Sequence, residues 1–220
     1  MSDVIILNFH GIGPEPPGLA PGEHNCWTEA SFFQGILDLV RDRADVQITF
    51  DDSNVSDYQI ARPALMARRM KAKFFAVAAR IDQPGYVSSR QLQEMSGAGL
   101  TVGSHGMQHR GWAGLNAEDL IEELIEARSR LEKIVGAPVQ EAACPFGSYD
   151  RRVLGALRRA GYERVYTSDE GPAPAGAWLQ PRNTVHRTDD LARINRLINW
   201  VPSGLPKLWR GMKLKLKQWR

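Results

Sequence analysis

The sequence predicts an α/β fold, a distorted (β/α) barrel of about seven strands followed by a basic amphipathic C-terminal helix. Two observations support this fold. Short apolar runs alternate with helical amphipathic patterns along residues 4–198, which is the order of parallel βαβ units. About seven such repeats suit a closed or nearly closed barrel better than a small open sheet.

The predicted strands are short runs of apolar and β-branched residues, and most are followed by a turn or a helical pattern. They are residues 4–9, 46–50, 73–77, 100–102, 141–144, 164–167 and, with a weaker pattern, 178–180. Apolar residues at helical spacing and capping residues such as Thr28 and Asn116 predict the helices. These are residues 28–43, 56–70, 88–96, 116–135, 149–160 and 189–198. Residues 11–26 form a Pro- and Gly-rich loop that is long for a connector, which indicates a functional lid.

Composition and charge indicate a folded domain with a basic tail. Hydrophobic residues make up 43% of the chain and charged residues 24%, which excludes a largely disordered protein. The net charge is +3, but residues 203–220 hold six basic residues and no acid, so residues 1–202 are acidic overall. We therefore expect a barrel domain over residues 1–202, a tail over residues 203–220 and no nucleic-acid partner.

Apart from Leu214, which lies on the basic side, the apolar residues of the tail recur at near-helical spacing, within an arc of about 100°. They are Leu205, Leu208, Trp209, Met212, Leu216 and Trp219. This pattern is typical of a helix that lies in a membrane interface, and a helix packed on the barrel with solvated lysines fits it equally well. Peripheral membrane contact through residues 205–219 is therefore one of two open interpretations.

Cysteine spacing argues against a thiolate metal site, and the hydropathy of the sequence argues against a signal peptide or a membrane span. Cys26 and Cys144 are far apart and no CxxC pair exists, so a thiolate metal site is not expected. The N-terminus lacks the basic start and the long apolar core of a signal peptide, and no run of about 18 apolar residues exists. We expect a cytoplasmic protein, held at the inner face of the cytoplasmic membrane if the tail binds lipid.

Residues that can carry chemistry follow three of the predicted strands. They are His10 after the first strand, Asp51 and Asp52 after the second, and His105 and His109 after the fourth. Because the carboxyl ends of parallel strands meet at one end of a barrel, we expect these side chains to converge there.

The spacing of His105 and His109 indicates a metal site. On a helical turn, residues at i and i+4 place both imidazoles on one side. Two histidines with one carboxylate, here Asp52, form a common open catalytic site for a divalent cation. We expect zinc, with cobalt, nickel and manganese as alternatives. Two surface histidines on a helix are the competing interpretation, and the position directly after a strand favours the metal.

The adjacent acids Asp51 and Asp52 would repel each other at a barrel mouth, and a cation would relieve that repulsion. One acid could then bind the metal while the other acts as a base. The alternative is an ordinary helix cap shared with Ser53 and Asn54.

Residues 4–185 resemble the polysaccharide deacetylase (NodB-like) family, carbohydrate esterase family 4. Residues 49–52 read TFDD like its first motif, and residues 105–109 read HGMQH like its second motif, H-[ST]-x-x-H, with Gly106 in the Ser/Thr place. The resemblance implies that Asp51 is the catalytic base and that Asp52, with the two histidines, binds the metal.

The third motif of the family, R-x-P-[YF]-G, is partly kept. Pro145, Phe146 and Gly147 match it, but Ala143 stands where the family has the Arg that orients the catalytic Asp. Arg182 is the candidate substitute for that guanidinium. The resemblance implies that the backbone N–H of Phe146 faces a developing oxyanion, and an ordinary β-to-α turn is the alternative.

The fifth motif, an apolar strand ending in L-x-H, is similar to residues 5–10 at the N-terminus. This order resembles the circularly permuted motifs of poly-N-acetylglucosamine deacetylases. It implies that His10 is the general acid, with His186 as the competing candidate.

The activity implied is metal-dependent hydrolysis of N-acetyl groups from an acetylated amino-sugar glycan or glycolipid, with release of acetate. Two alternatives stay open: hydrolysis of a non-carbohydrate amide, and a catalytically impaired scaffold that binds carbohydrate or membrane. The missing motif Arg favours the scaffold, whereas retention of the acids and histidines argues against it.

Overall fold

The computed structural model describes residues 3–19 and 22–200, and nine strands and seven helices lie within them. The strands are β1 Asp3–Phe9, β2 Val46–Asp51, β3 Lys73–Ala76, β4 Thr101–Ser104, β5 Glu141–Ala143, β6 Arg164–Thr167, β7 Ala173–Pro174, β8 Leu179–Pro181 and β9 Asn183–Thr184. The helices are α1 Ala30–Val40, α2 Arg62–Ala67, α3 Ser89–Gly97, α4 Ala117–Ile121, α5 Ala127–Val135, α6 Arg151–Arg159 and α7 Leu191–Ile198.

The strands form one sheet in the order β7-β1-β2-β3-β4-β5-β6-β8, with β9 beside β1. All pairs are parallel except β1 with β7. β8 pairs with β6 and β9 with β1, and Arg182 is the single residue between β8 and β9. The segment 179–184 therefore bridges both ends of the sheet and nearly closes the barrel. The predicted α/β barrel is confirmed; β7 and β9 were not predicted because two residues carry no periodicity.

Four phenylalanines pack between the sheet and α1. Phe9 and Phe50 lie on neighbouring strands with ring centroids 5.5 Å apart, and Phe33 contacts both rings edge-on. Phe50 also stacks on Phe74 at 4.5 Å. Each buried phenyl ring contributes about 1.5–3 kcal/mol of stability. The residues that directly follow Phe9 and Phe50 are thereby attached to fully buried positions of the core.

Helix boundaries follow local capping chemistry. Ser88 and Gln91 form the capping box of α3, and Asn116 caps α4 by accepting a bond from Asp119 N. Thr28 does not cap α1 as predicted, because its hydroxyl donates to the carbonyl of Gly11. The second predicted helix is also shorter than expected, since α2 ends at Ala67 after one wide turn, Asp57–Ala61.

The loop between β1 and α1 is fastened at its base. Ile12 and Thr28 form a backbone bridge, and Trp27 Nε1 donates to the carbonyl of Gly13 at 2.8 Å. A Cβ on Gly11 would lie 2.0 Å from the Trp27 ring, so this position admits only glycine. The far part of the loop, from Gly22 to Trp27, stands at the carboxyl end of the barrel.

The predicted basic tail, residues 203–220, lies outside the described residues, and so does the predicted domain boundary at residue 202. Among the helices of residues 3–19 and 22–200, none is both long enough and apolar enough to cross a bilayer.

Candidate functional site

The carboxyl ends of the strands enclose a pocket of about 600 Å³. Six of the residues predicted from the sequence line it: His10, Asp51, Asp52, His105, His109 and Phe146. Arg182 is fully buried and reaches the pocket only through Asp51. His186 is not among the described residues that line the pocket. The convergence expected from the strand order is therefore present.

Asp52, His105 and His109 form a compact group whose candidate ligand atoms all lie within 4.8 Å of one another. Asp52 Oδ1 is 3.0 Å from His109 Nε2 and 3.6 Å from His105 Nε2. This oxygen is buried and, despite the short distance, has no hydrogen bond of good geometry within the described part of the chain. A buried carboxylate oxygen that faces two imidazole nitrogens fits a divalent cation with three protein ligands and an open position.

A backbone carbonyl sets the tautomer of His105. Its Nδ1 lies 2.9 Å from the carbonyl oxygen of Ala143, which can only accept, so we assign the proton to Nδ1. The lone pair of Nε2 then points toward Asp52, as in metal-binding histidines whose second nitrogen donates to a carbonyl. Burial lowers the pKa of His105 to about 4, although Asp51 and Asp52 oppose the shift, so the ring is neutral at pH 7.

The segment that carries the two histidines is a loop, so the predicted helical turn is wrong. Gly106 has a φ of 83° and His109 a φ of 56°, both left-handed. The loop wraps instead around the carboxylate of Glu123, which accepts bonds from the backbone N–H groups of Met107 and Gln108 at 3.0 and 3.1 Å. This wrapping brings the two imidazole centroids to 5.1 Å without a helix.

Glu123 explains why Gly106 stands where the resemblance has Ser or Thr. A Cβ on Gly106 would lie 2.2 Å from Glu123 Oε2 and 3.2 Å from Trp112 Nε1. Glu123 is fully buried and also binds Arg110 at 3.0 Å. The sequence prediction did not include Glu123, which lies in the π-helical turn Glu122–Glu126 that joins α4 to α5. An acid beside Leu124 on the apolar face of the predicted helix was the signal that could have identified it.

Arg182 holds Asp51 with both guanidinium nitrogens, Nη1 to Oδ1 and Nη2 to Oδ2, each at 2.7 Å. Asn8 Nδ2 adds a third bond to Oδ2 at 3.0 Å. Burial alone would raise the pKa of Asp51, but the charges of Arg182, His105 and His10 outweigh it and lower the pKa to about 2. Asp51 is therefore a carboxylate at neutral pH, fixed in orientation.

The guanidinium reaches Asp51 from the segment between β8 and β9. It lies over the rings of Phe75 and Tyr166, 5.2 and 5.9 Å from their centroids. Ala143 packs in the same cluster as these two rings. The small side chain of Ala143 thus leaves room for the guanidinium of Arg182, which comes from the segment between β8 and β9.

Asn8 is a second residue that sequence reasoning missed. Its Oδ1 accepts bonds from Arg182 Nη1 at 2.8 Å and from Thr49 Oγ1 at 2.7 Å, while its amide donates to Asp51. It is buried in β1, two residues before His10 and on the same face of the strand. The signal that could have identified Asn8 was an amide within the otherwise apolar run of residues 4–9.

The two candidate acids occupy different surroundings. His10 lines the pocket, and its buried Nδ1 has no hydrogen-bond partner in the part of the chain that the structure describes. His186 Nδ1 is 4.0 Å from the sulfur of Cys26, and Cys26, not His186, lines the pocket. The geometry favours His10.

Phe146 lies at the mouth of the pocket. Its φ of 56° is left-handed, which is costly for a residue with a Cβ. Its ring is 71% exposed and 4.5 Å from the His109 ring. The residues after β5 therefore shape one wall of the pocket.

The remaining wall comes from residues that no motif identified. They are Gly22, Glu23, Cys26 and Trp27 of the loop after β1, Asn54 after β2, Arg80 and Tyr86 after β3, and Ser168 after β6. Loop residues of this kind carry no periodicity, so only the folded chain shows that they meet.

A family model described as polysaccharide deacetylase matches residues 40–165. The polysaccharide deacetylase homologue YxkH of Bacillus subtilis (strain 168) is 28% identical over an alignment of 182 positions that covers 76% of this chain. The match covers 65% of YxkH, so the chain spans just under two thirds of that relative's length.

Solved structures share the fold. The deacetylase PplD of Streptococcus pyogenes, in complex with acetate, has a TM-score of 0.80 at 20% identity, over 90% of this chain and 98% of that one. A de-N-acetylase of Aggregatibacter actinomycetemcomitans has a TM-score of 0.74 at 15% identity, over 89% and 100%. Because the family model matches more than half of the chain and the barrel is the same, the protein belongs to the polysaccharide deacetylase family.

Proposed function

We propose that this protein hydrolyses the N-acetyl group of an acetylated amino sugar in a glycan or glycolipid, with a divalent cation, and releases acetate. One observation carries the proposal: the buried group of Asp52, His105 and His109 lies beside a fixed carboxylate, Asp51, in a pocket at the carboxyl end of the barrel. Membership of the polysaccharide deacetylase family supports it.

The three side chains fit zinc or a related divalent ion, with cobalt, nickel and manganese as alternatives. Such an ion supplies Lewis acidity, which makes water more acidic and an acetyl carbonyl more electrophilic. The neutral His105 ring, with its proton held by the Ala143 carbonyl, is suited to bind it.

Asp51 is the proposed general base. Arg182 and Asn8 fix the plane of its carboxylate. Oδ2 accepts two of these bonds and Oδ1 only one, so Oδ1 keeps capacity for a further hydrogen bond. With its low pKa, Asp51 is ionised before substrate arrives, so it can accept a proton from water as that water attacks the acetyl carbon.

His10 is the proposed general acid, and the backbone N–H of Phe146 is proposed to stabilise the oxyanion. Attack by water gives a tetrahedral carbon, and the C–N bond then breaks. The departing nitrogen takes a proton from His10, which yields a free amine and acetate. His10 suits this role because it lines the pocket and its Nδ1 makes no competing hydrogen bond to the described residues.

Acetate release from a panel of acetylated glycans and glycolipids tests the proposal. We expect release that is abolished by a chelator and restored by zinc, and that is lost in Asp51→Asn while this variant keeps its metal. Release from non-sugar amides alone would instead identify an amide hydrolase. Sugar binding without any release would identify a scaffold.

We further propose that residues 205–219 contact an anionic membrane surface, which would hold the enzyme near lipid-linked sugars. The six basic residues and the apolar arc of the sequence support this, and each basic residue near such a surface adds about 1 kcal/mol of attraction. Co-sedimentation with anionic liposomes should be lost when residues 203–220 are deleted. Unchanged sedimentation would exclude the tail as the contact.

A further inference from the structure

Arg80 stands at the edge of the candidate metal group in a fixed backbone position. It ends the short turn Ala78–Arg80 that follows β3. The N–H of Ala78 donates to Gly106 O at 2.9 Å, and that of Ala79 donates to Met107 O at 3.0 Å. The turn is therefore fastened to the loop that carries the histidines, and its arginine side chain lines the pocket.

The guanidinium of Arg80 has loose polar contacts. Its Nη2 is 3.2 Å from His109 Nδ1 and 3.8 Å from Glu23 Oε1, and its Nη1 is 3.6 Å from Asp52 Oδ1. Its Cζ lies 4.9 Å from the centroid of the Tyr86 ring, which holds the plane of the group. Within the described residues, the 3.2 Å approach to His109 Nδ1 is the closest side-chain polar contact of Arg80, and Nδ1 carries the ring proton and cannot accept from Arg80 when Nε2 is free to bind a metal.

These distances differ from those of the arginines that hold the fold together. Arg182 contacts Asp51 at 2.7 Å, and Arg110 contacts Glu122 at 2.7 Å. A guanidinium has five N–H donors, so Arg80 retains donors for a group that enters the pocket. Its side chain is 21% exposed, which leaves it accessible from the pocket.

The charges around the pocket favour an anion beside Arg80. Arg182 already neutralises the negative charge of Asp51, and a divalent cation would more than neutralise the negative charge of Asp52. Glu23 faces Arg80 at 3.8 Å, too far for a hydrogen-bonded pair, and is itself 31% exposed. Among the described residues that line the pocket, Arg80 is the one with a permanent positive charge.

We propose that Arg80 determines specificity by binding an acidic group of the substrate, a carboxylate or a phosphate, next to the acetylated sugar. This inference rests on the proposed deacetylation. A planar guanidinium matches either oxyanion with two parallel N–H···O bonds, and contact with Tyr86 lowers the cost of ordering it. A neutral sugar in the same place would leave these donors to water.

Matched pairs of substrates test this for each source of acid. One pair is an oligosaccharide of N-acetylglucosamine and glucuronate and the same oligosaccharide with its carboxyl groups reduced to alcohols. The other is N-acetylglucosamine 1-phosphate and N-acetylglucosamine. In the pair whose acidic group Arg80 binds, Arg80→Gln should raise KM for the acidic member about 10- to 100-fold. For the neutral member of that pair, KM should rise less than about threefold. Arg80→Lys should recover part of the loss.

Two controls separate recognition from support of the metal group. The metal content of Arg80→Gln should equal that of the wild type, and on the acidic member its KM should change far more than its kcat. Arg90→Gln, which changes an exposed arginine paired with Glu94 on α3, should leave both KM values unchanged. Equal losses on acidic and neutral members, or loss of metal, would overturn the proposal and make Arg80 a support for His109.

Binding distinguishes failure of this inference from failure of the deacetylation. Calorimetry with wild-type protein should give about tenfold tighter binding of an acidic member than of its neutral partner, and Arg80→Gln should abolish the difference. If no acetate is released but this difference is present, recognition by Arg80 stands and the deacetylation fails. Equal binding of both members in both pairs overturns the inference.

Discussion

Arg182 and Asp51, 131 residues apart in the chain, form a buried ion pair in which both N···O distances are 2.7 Å. Their side chains are 1% and 3% exposed. Such a pair fixes a carboxylate in one orientation, which a general base requires. This ion pair supports Arg182 as the proposed substitute for the motif arginine, whose place Ala143 occupies, because its guanidinium reaches Asp51 from the segment that closes the barrel.

Removing only one charge of this pair should be strongly destabilising. We expect Arg182→Met to lower the free energy of unfolding by about 3–5 kcal/mol, because Asp51 would stay buried without its partner. The double variant Asp51→Asn/Arg182→Met should recover much of that loss. Urea unfolding of both single variants and the double variant measures the coupling. Additive losses would show that the two residues do not depend on each other.

A guanidinium supplied from position 143 should be able to replace that of Arg182 beside Asp51. Ala143→Arg alone should destabilise the fold by about 1–3 kcal/mol or more, because Arg182 already lies over the neighbouring Phe75 and Tyr166 rings. Combined with Arg182→Ala, it should regain stability and part of the acetate release that Arg182→Ala loses. Melting temperature and activity, measured on the same three variants, check this. A double variant worse than either single one would contradict the exchange.

Gly106 is expected to tolerate no side chain. Gly106→Ser should lower the free energy of unfolding by about 2–5 kcal/mol and weaken metal binding, because its Cβ would overlap Glu123 Oε2 at a φ of 83°. Gly114→Ser is a matched control: Gly114 has a φ of 80° but no atom near the added Cβ, so only about 1–2 kcal/mol of backbone strain applies. Urea unfolding and metal titration compare the two variants. Equal effects would mean that the contact with Glu123 is unimportant.

Asp57 should make stability depend on pH. Burial, and then the charges of Asp52 and Asp51, raise its pKa well above 3.8, and its buried Oδ1 has no hydrogen-bond partner among the described residues. As pH rises past about 4, the unfolded chain loses this proton first, so the Asp57 contribution to stability decreases. Asp57→Asn should therefore raise the free energy of unfolding at pH 7 by about 1–3 kcal/mol. In this variant the free energy of unfolding should also decrease less steeply as pH rises above 4.

Melting curves between pH 4 and pH 7 test this for Asp57→Asn, with the exposed Asp42→Asn as control. Wild type and Asp42→Asn should show the same slope with pH. A slope in Asp57→Asn as steep as theirs would contradict the assignment of a buried neutral carboxyl.

The strands and the positions of His10, Asp51, Asp52, His105 and His109 could be predicted because each lies on or directly after an apolar run. Parallel strands place their carboxyl ends together, so chain order was enough to group these side chains.

Elements that depend on tertiary contacts could not be predicted. The loop conformation at His105 depends on Glu123, a residue 18 positions away whose burial is visible only in the folded chain. Asn8 orients Asp51 through a network that also includes Thr49 and Arg182, and no spacing rule connects these three positions. The position of Arg80 in the pocket could not be predicted for the same reason, because Arg80 lies on a turn without periodicity.

The proposed requirement for removal of N-acetyl groups is a divalent cation on Asp52, His105 and His109. Its most direct test is zinc titration of chelator-stripped protein, with bound metal and released acetate measured on the same samples of wild type and His105→Ala. Acetate release should rise with bound zinc, reach its maximum near one ion per chain, and be lost with the metal in His105→Ala. Full acetate release from stripped protein, or unchanged zinc binding in His105→Ala, would contradict the claim.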